Sequence, residues 1–185
     1  MNALSFLVST LLDLYIMVVM MRIWLQAARA DFYNPFSQFI VKATQPIVAP
    51  LRRMIPSVGS LDLATLLLAY VLSVLKFVLL ILIASHGAVP FSSQFLLLGA
   101  LSLLKAAGGL LFWVLIIRAI LSWVSQGRSP MEYVLYQLSE PLLAPIRRFL
   151  PAMSGLDLSV LVLFIVLQFA NYLMGDLIGP AWYQL

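Results

Sequence analysis

The chain contains no cysteine among its 185 residues, which excludes a disulfide framework and thiol chemistry. It has one histidine, His86, with no acid close to it in sequence, so neither a metal site nor a histidine-based triad is expected. Charged residues make up only 10%, against about a quarter in a soluble domain. So few charges cannot cover a water-facing surface. That excludes a soluble enzyme, a disordered chain and a fibrous repeat. A phosphate-cradling loop is missing too, because Gly108 and Gly109 fall inside an apolar run. What is abundant is hydrocarbon: 63% of residues are hydrophobic and the mean hydropathy is +1.05. The composition is that of an integral membrane protein. Its net charge of +4 then reads as loop charge that sets orientation, not as a nucleic-acid footprint.

Four apolar stretches reach the roughly 20 residues that a helix needs to cross a bilayer. They run from Leu4 to Trp24, Leu63 to Ala84, Phe95 to Trp123 and Leu158 to Ile178. Barrel strands would be about half as long and would alternate. The third stretch exceeds a bare span and is expected to tilt or to emerge into a loop. The first is expected to be a span and not a cleaved leader, since no Lys or Arg precedes it and Asp13 interrupts it. The predicted fold is therefore all-α, with four transmembrane helices.

Lys and Arg counts give the orientation. Arg29, Lys42, Arg52 and Arg53 lie between the first two spans, and Arg128, Arg147 and Arg148 between the last two. Arg22 and Arg118 sit at the adjoining span ends, whereas the connection from Ser85 to Gln94 has neither residue type. Loops 29–60 and 125–155 are expected in the cytoplasm, with both termini and the middle connection outside.

The chain is also written twice. Pro46, Pro50, Arg52, Arg53 and Pro56 return as Pro141, Pro145, Arg147, Arg148 and Pro151, an offset of 95 residues. The same offset joins Pro35 to Pro130 and Asp62 to Asp157, and Arg22 matches Arg118 after a one-residue slip. The units are 1–90 and 91–185. Each is span, loop, span, so the copies share one orientation and form a parallel repeat about an axis along the membrane normal.

Eight of the ten prolines lie in the two loops, and each is expected to start or stop a short helix. Asn34-Pro35 has the order of an N-cap and first helical position, and Ser129-Pro130-Met131-Glu132 that of a capping box. Phe36, Phe39, Ile40 and Ala43 share a helical face, as do Met131, Val134, Leu135 and Leu138. Ile47, Val48, Leu51, Met54 and Ile55 form another, with Arg52 and Arg53 pointing away; Leu142, Leu143, Ile146, Phe149 and Leu150 match them. Such pieces are expected to lie in the membrane interface or to cap the bundle.

The doubled Pro-x-x-x-Pro-[Leu/Ile]-Arg-Arg-x-[Ile/Leu]-Pro, followed by Leu-Asp-Leu at 61–63 and 156–158, resembles the YGGT repeat. Asn34-Pro35-Phe36 and Ser122-Trp123 fit as well, and the likeness covers nearly the whole chain. The resemblance implies a multi-pass inner-membrane protein of bacteria, with relatives in cyanobacteria and chloroplasts. It implies links to osmotic or ionic stress tolerance, to division or nucleoid organisation and to assembly of plastid membrane complexes. It brings no established reaction, so no enzyme activity and no cofactor are expected.

Within the spans, Asp13, Lys76 and Lys105 are each expensive, at about 2.5–3.5 kcal/mol on insertion scales. Counting the helical rise from the outer span ends puts them about 16, 12 and 15 Å deep. Asp13 is expected to face the bundle interior and to pair with Lys76, Lys105 or both, either as a register-fixing ion pair or as an ion path. Ser73, Ser102, Gln168 and Asn171 could supply interhelical hydrogen bonds. Gly99, Gly108 and Gly109 are expected at close helix contacts, and Trp24, Trp113, Trp123 and Trp182 in an interfacial belt. Asp62 and Asp157 stand where they would cap spans two and four and tether their loops' arginines. Arg52, Arg53, Arg147 and Arg148 are candidates for binding anionic lipid headgroups, unless they only set topology. A homodimer or another membrane protein is a further expected partner. The competing expectation is a small channel or transporter subunit built on Asp13, Lys76 and Lys105.

Overall fold

A computed structural model describes residues 3–85, 87, 92–125, 129–149 and 158–185. Among the described residues seven helices follow in order: α1 (Ala3–Ala27), α2 (Pro35–Met54), α3 (Leu63–Ala84), α4 (Gln94–Ser125), α5 (Pro130–Arg147), α6 (Leu158–Ile178) and α7 (Ala181–Gln184). No strand occurs among the described residues; only an isolated bridge joins Val58 to Leu61. Helices α1, α3, α4 and α6 are long and apolar enough to cross a membrane. The protein is an all-α membrane protein with four transmembrane helices. The ends of α3 and α6 coincide with the stretches read from hydropathy, and α4 is the longest helix at 32 residues.

The prolines behave differently from expectation. Pro35 and Pro130 do open helices, but Pro46, Pro50, Pro141 and Pro145 lie inside them. Each loop thus holds one continuous amphipathic helix in place of two short ones. An interior proline normally breaks a helix because its ring nitrogen cannot donate to the carbonyl four residues back. Here the prolines stand four apart on the exposed side, where Lys42, Pro46 and Pro50 are open to solvent or headgroups. The freed carbonyls can find other donors there.

The buried face of α2 consists of Ser37, Ile40, Thr44 and Val48, and that of α5 of Val134, Leu135, Leu138, Ser139 and Leu143. Phe39, Ile47, Met54, Leu142 and Phe149, read as inward from spacing, point outward. One continuous helix has a single inward stripe, and Phe39, Ile47, Met54 and Leu142 fall off it, while Phe149 lies past the end of α5. Asn34 caps α2 by accepting from the Phe36 N–H at 2.8 Å. Ser129 holds the N-cap position of α5 without a side-chain cap bond.

The largest core cluster lies between α1, α2, α4 and α5, and it contains both members of several repeat-related pairs. Ile40 and Leu135 are both buried in it, as are Met21, Leu25 and Val114; their counterparts Ile117, Leu121 and Val18 pack around them. Equivalent residues meeting at one point is what a two-fold-related pair of hairpins produces. The halves are not identical, however. Helix α1 packs along α3, whereas α4 meets α6 over a shorter stretch, through Leu111, Leu115, Leu163, Phe164 and Leu167.

Candidate functional site

Two polar assemblies stand out, one at the elbows formed by α2 and α5 and one within the spans. At the first elbow, Arg22 is buried near the end of α1. Its Nη1 donates to Thr44 Oγ1 at 2.6 Å and its Nη2 to Gln45 Oε1 at 2.7 Å. At the second elbow, Arg118 donates to Ser139 Oγ and pairs with Glu140 at 3.6 Å. Thr44 and Ser139 are equivalents, and so are Gln45 and Glu140. Even the hydroxyl's own donation recurs, from Thr44 to the Ile40 carbonyl and from Ser139 to the Leu135 carbonyl, each at 2.7 Å. Each arginine clamps the loop helix of its own repeat onto the end of its span.

The arginine pairs divide by role. Arg52 is tied to Asp62 through Nε at 2.8 Å and through Nη2, and it also donates to Gln26. Asp62 is fully buried, caps α3 by accepting from the Thr65 N–H, and receives the Thr65 hydroxyl. Burial raises its pKa, but the hydrogen bonds from Arg52 and Thr65, with the charge of Arg52, outweigh burial and hold it below the usual carboxylate range. Arg147 donates to both oxygens of Glu140, at 2.8 and 3.0 Å. Asp157 lies outside the described residues. Arg53 and Arg148, by contrast, are exposed and make no ion pair among the described residues. Beside each stands an exposed apolar side chain, Met54 at 82% and Phe149 at 87%. The two elbow tips are thus a matched pair of Arg-plus-apolar projections.

Within the spans, Lys76 Nζ donates to Asp13 Oδ1 at 2.8 Å, and Ser9 donates to Asp13 Oδ2 at 3.2 Å. The lysine side chain is 3% exposed but the aspartate 44%, so Asp13 is half-open and not enclosed in the bundle. Lys105 does not pair with Asp13; its Nζ donates to the Trp182 carbonyl at 2.7 Å. Lys76 also reaches the Leu185 backbone oxygen at 3.1 Å. Both lysines therefore hold the chain after α6, which turns back at Gly179, where φ is +83°, and inserts α7 beside the spans. Trp182 is buried there and donates to Asn171 Oδ1 at 2.9 Å, so it is no part of an interfacial belt. The Tyr183 hydroxyl rests on Gly175. Ser73 bonds back to its own helix at Ala69 and Gln168 is exposed, so neither joins two helices. Gly99 stands where a Cβ would lie 3.1 Å from the Val74 nitrogen, a true close approach of α3 and α4. Gly108 and Gly109 instead face open space. No group of three or more metal-binding side chains occurs among the described residues.

The family model described as CCB3/YggT matches residues 1–83 and 97–178, one match for each half. This chain belongs to the CCB3/YggT family. An uncharacterized protein of Vibrio alginolyticus, named for its place in the proC 3′ region, is 78% identical over the full length of both chains. The uncharacterized protein YggT of Escherichia coli K12 is 56% identical over 92% of this chain and 88% of its own. An uncharacterized protein of Pseudomonas aeruginosa, PA0392, is 40% identical over 94% and 88%. No solved structure matches. The break between the two family matches falls at the α3–α4 connection, so the family pattern follows the span–elbow–span unit. Reading the sequence missed the clamp residues Thr44, Gln45, Ser139 and Glu140, although their 95-residue spacing was there to be found. It also missed α7, which is too short to leave a pattern.

Proposed function

We propose that this family member is a non-enzymatic protein of the bacterial inner membrane that organises anionic lipid through its two elbow tips. The observation that carries this reading is the division of the arginine pairs: Arg52 and Arg147 are spent on carboxylates, while Arg53–Met54 and Arg148–Phe149 project together. A basic residue near an anionic leaflet gains about 1 kcal/mol, and a fully buried large apolar side chain about 1.5–3 kcal/mol. Two such tips on one side give an electrostatic term that chooses the lipid and an apolar term that holds it. The positive-inside rule supports a cytoplasmic position for both elbows, with the termini outside. The family resemblance supports a role in osmotic or ionic stress, where lipid organisation is challenged. Purified protein in mixed detergent and lipid should retain phosphatidylglycerol over phosphatidylcholine when counted by native mass spectrometry. The Arg53→Gln/Arg148→Gln variant should lose that preference; retention of it refutes the reading.

A second reading, an ion path or transport subunit, draws on the half-open Asp13 beside buried Lys76 and on Lys105 nearby. Flux through liposomes that depends on Asp13, measured with Asp13→Asn, would favour it over lipid organisation.

A further inference from the structure

The repeats diverge at one level of the bundle. The equivalent of Asp13, 96 positions on, is Gly109, and the equivalent of Lys76, 95 on, is Asn171. The first half bridges α1 to α3 with an ion pair. The second has no such bridge; there α7 packs on α6 and turns its Trp182 carbonyl to Lys105 of α4. Asp13 neutralises Lys76, but Lys105 makes no ion pair among the described residues. It has one neutral carbonyl and the face of the Trp182 ring, 5.6 Å away. A carbonyl dipole does not neutralise an ammonium group, and an uncompensated charge within a span is costly. One turn along α4 from Lys105, on the same face, positions 108 and 109 are glycines beside open space.

We propose that Lys76 and Lys105 form a binding site for a phosphate group, which α7 occupies in this conformation through the backbone oxygens of Trp182 and Leu185. The two ammonium groups donate to two separate oxygens, as they would to a phosphate. The space by Gly108 and Gly109 takes the rest of the ligand. Gly179 is the turning point about which the occupant can leave, giving up the Asn171 bond, the Gly175 contact and the burial of Trp182. The phosphate comes either free or on a lipid.

Because the chain has no cysteine, spin labels at Gln184→Cys and Leu97→Cys report the position of α7 in the full-length protein. In phosphatidylcholine nanodiscs, added inorganic phosphate should lengthen the label distance, which assigns a free phosphate. In phosphatidylglycerol nanodiscs without phosphate, lengthening assigns a lipid phosphate. Lys105→Gln keeps a donor for the Trp182 carbonyl but removes the charge. Measured from its own starting distance in phosphatidylcholine, it should raise the concentration or lipid fraction needed by about tenfold or more. Lys105→Arg should preserve the response. No lengthening in either arm, or an equal response in Lys105→Gln, overturns the proposal.

Discussion

Arg22 and Thr44 join the first span to its loop helix by a buried guanidinium–hydroxyl bond of 2.6 Å. Arg118 and Ser139 repeat the joint in the second half. A hydrogen bond to a charged group is worth about 1.5–3 kcal/mol, and a buried donor left without an acceptor costs its full desolvation. Thr44→Val should therefore lower stability by about 1.5–3 kcal/mol, read as reversible unfolding in mixed micelles. A loss below about 0.5 kcal/mol would mean that the arginine finds another acceptor at no cost.

Spans, duplication and the ion-pairing candidates were legible because each leaves a pattern: hydropathy, a fixed offset, or a charge in an apolar run. The continuity of α2 was not. Proline is read as a breaker, and only the fold shows that Pro46 and Pro50 share the exposed side. Nor could the sequence separate Arg52 from Arg53. Adjacent helical residues point about 100° apart, and which of them meets Asp62 depends on how α2 docks against α3. Gly99 and Gly108 look alike in sequence, yet only the first has a neighbouring helix against it.

Those glycines give a paired test. Gly99→Ala pushes a methyl group against Val74 and its backbone nitrogen, and overpacking of this kind costs about 1–3 kcal/mol. Gly108→Ala meets nothing and replaces a poor helix former, so it should be neutral or stabilise by up to about 1 kcal/mol. Thermal unfolding of the two variants side by side should give opposite shifts. The same sign for both would contradict the packing of α4.

Asp13 and Lys76 should show coupling. Asp13→Asn leaves the Lys76 ammonium enclosed without a counter-charge, which is the harmful half of breaking an ion pair. Adding Lys76→Met removes the stranded charge and should restore part of the stability, with a coupling energy of about 1–3 kcal/mol in the double-mutant cycle. The half-open aspartate tempers the effect, because its carboxylate is still partly solvated. Additive single mutants would show that the 2.8 Å contact carries no energy.

Asp62 gives a pH signature. Its folded-state pKa is held below the unfolded value of about 3.9. The ionised form is thus the one that folding favours. Its contribution is complete above the unfolded pKa and is lost as pH falls through the lower, folded-state value. Wild-type protein should keep this contribution from pH 7 to about 5 and shed it below about 4. In Asp62→Asn the asparagine still caps α3 but cannot balance Arg52, so the variant starts weaker at neutral pH. The gap between the two proteins should narrow on acidification, measured as unfolding midpoints across the range. A gap independent of pH would mean that the side chain acts only as a helix cap and that the Arg52 bond adds nothing.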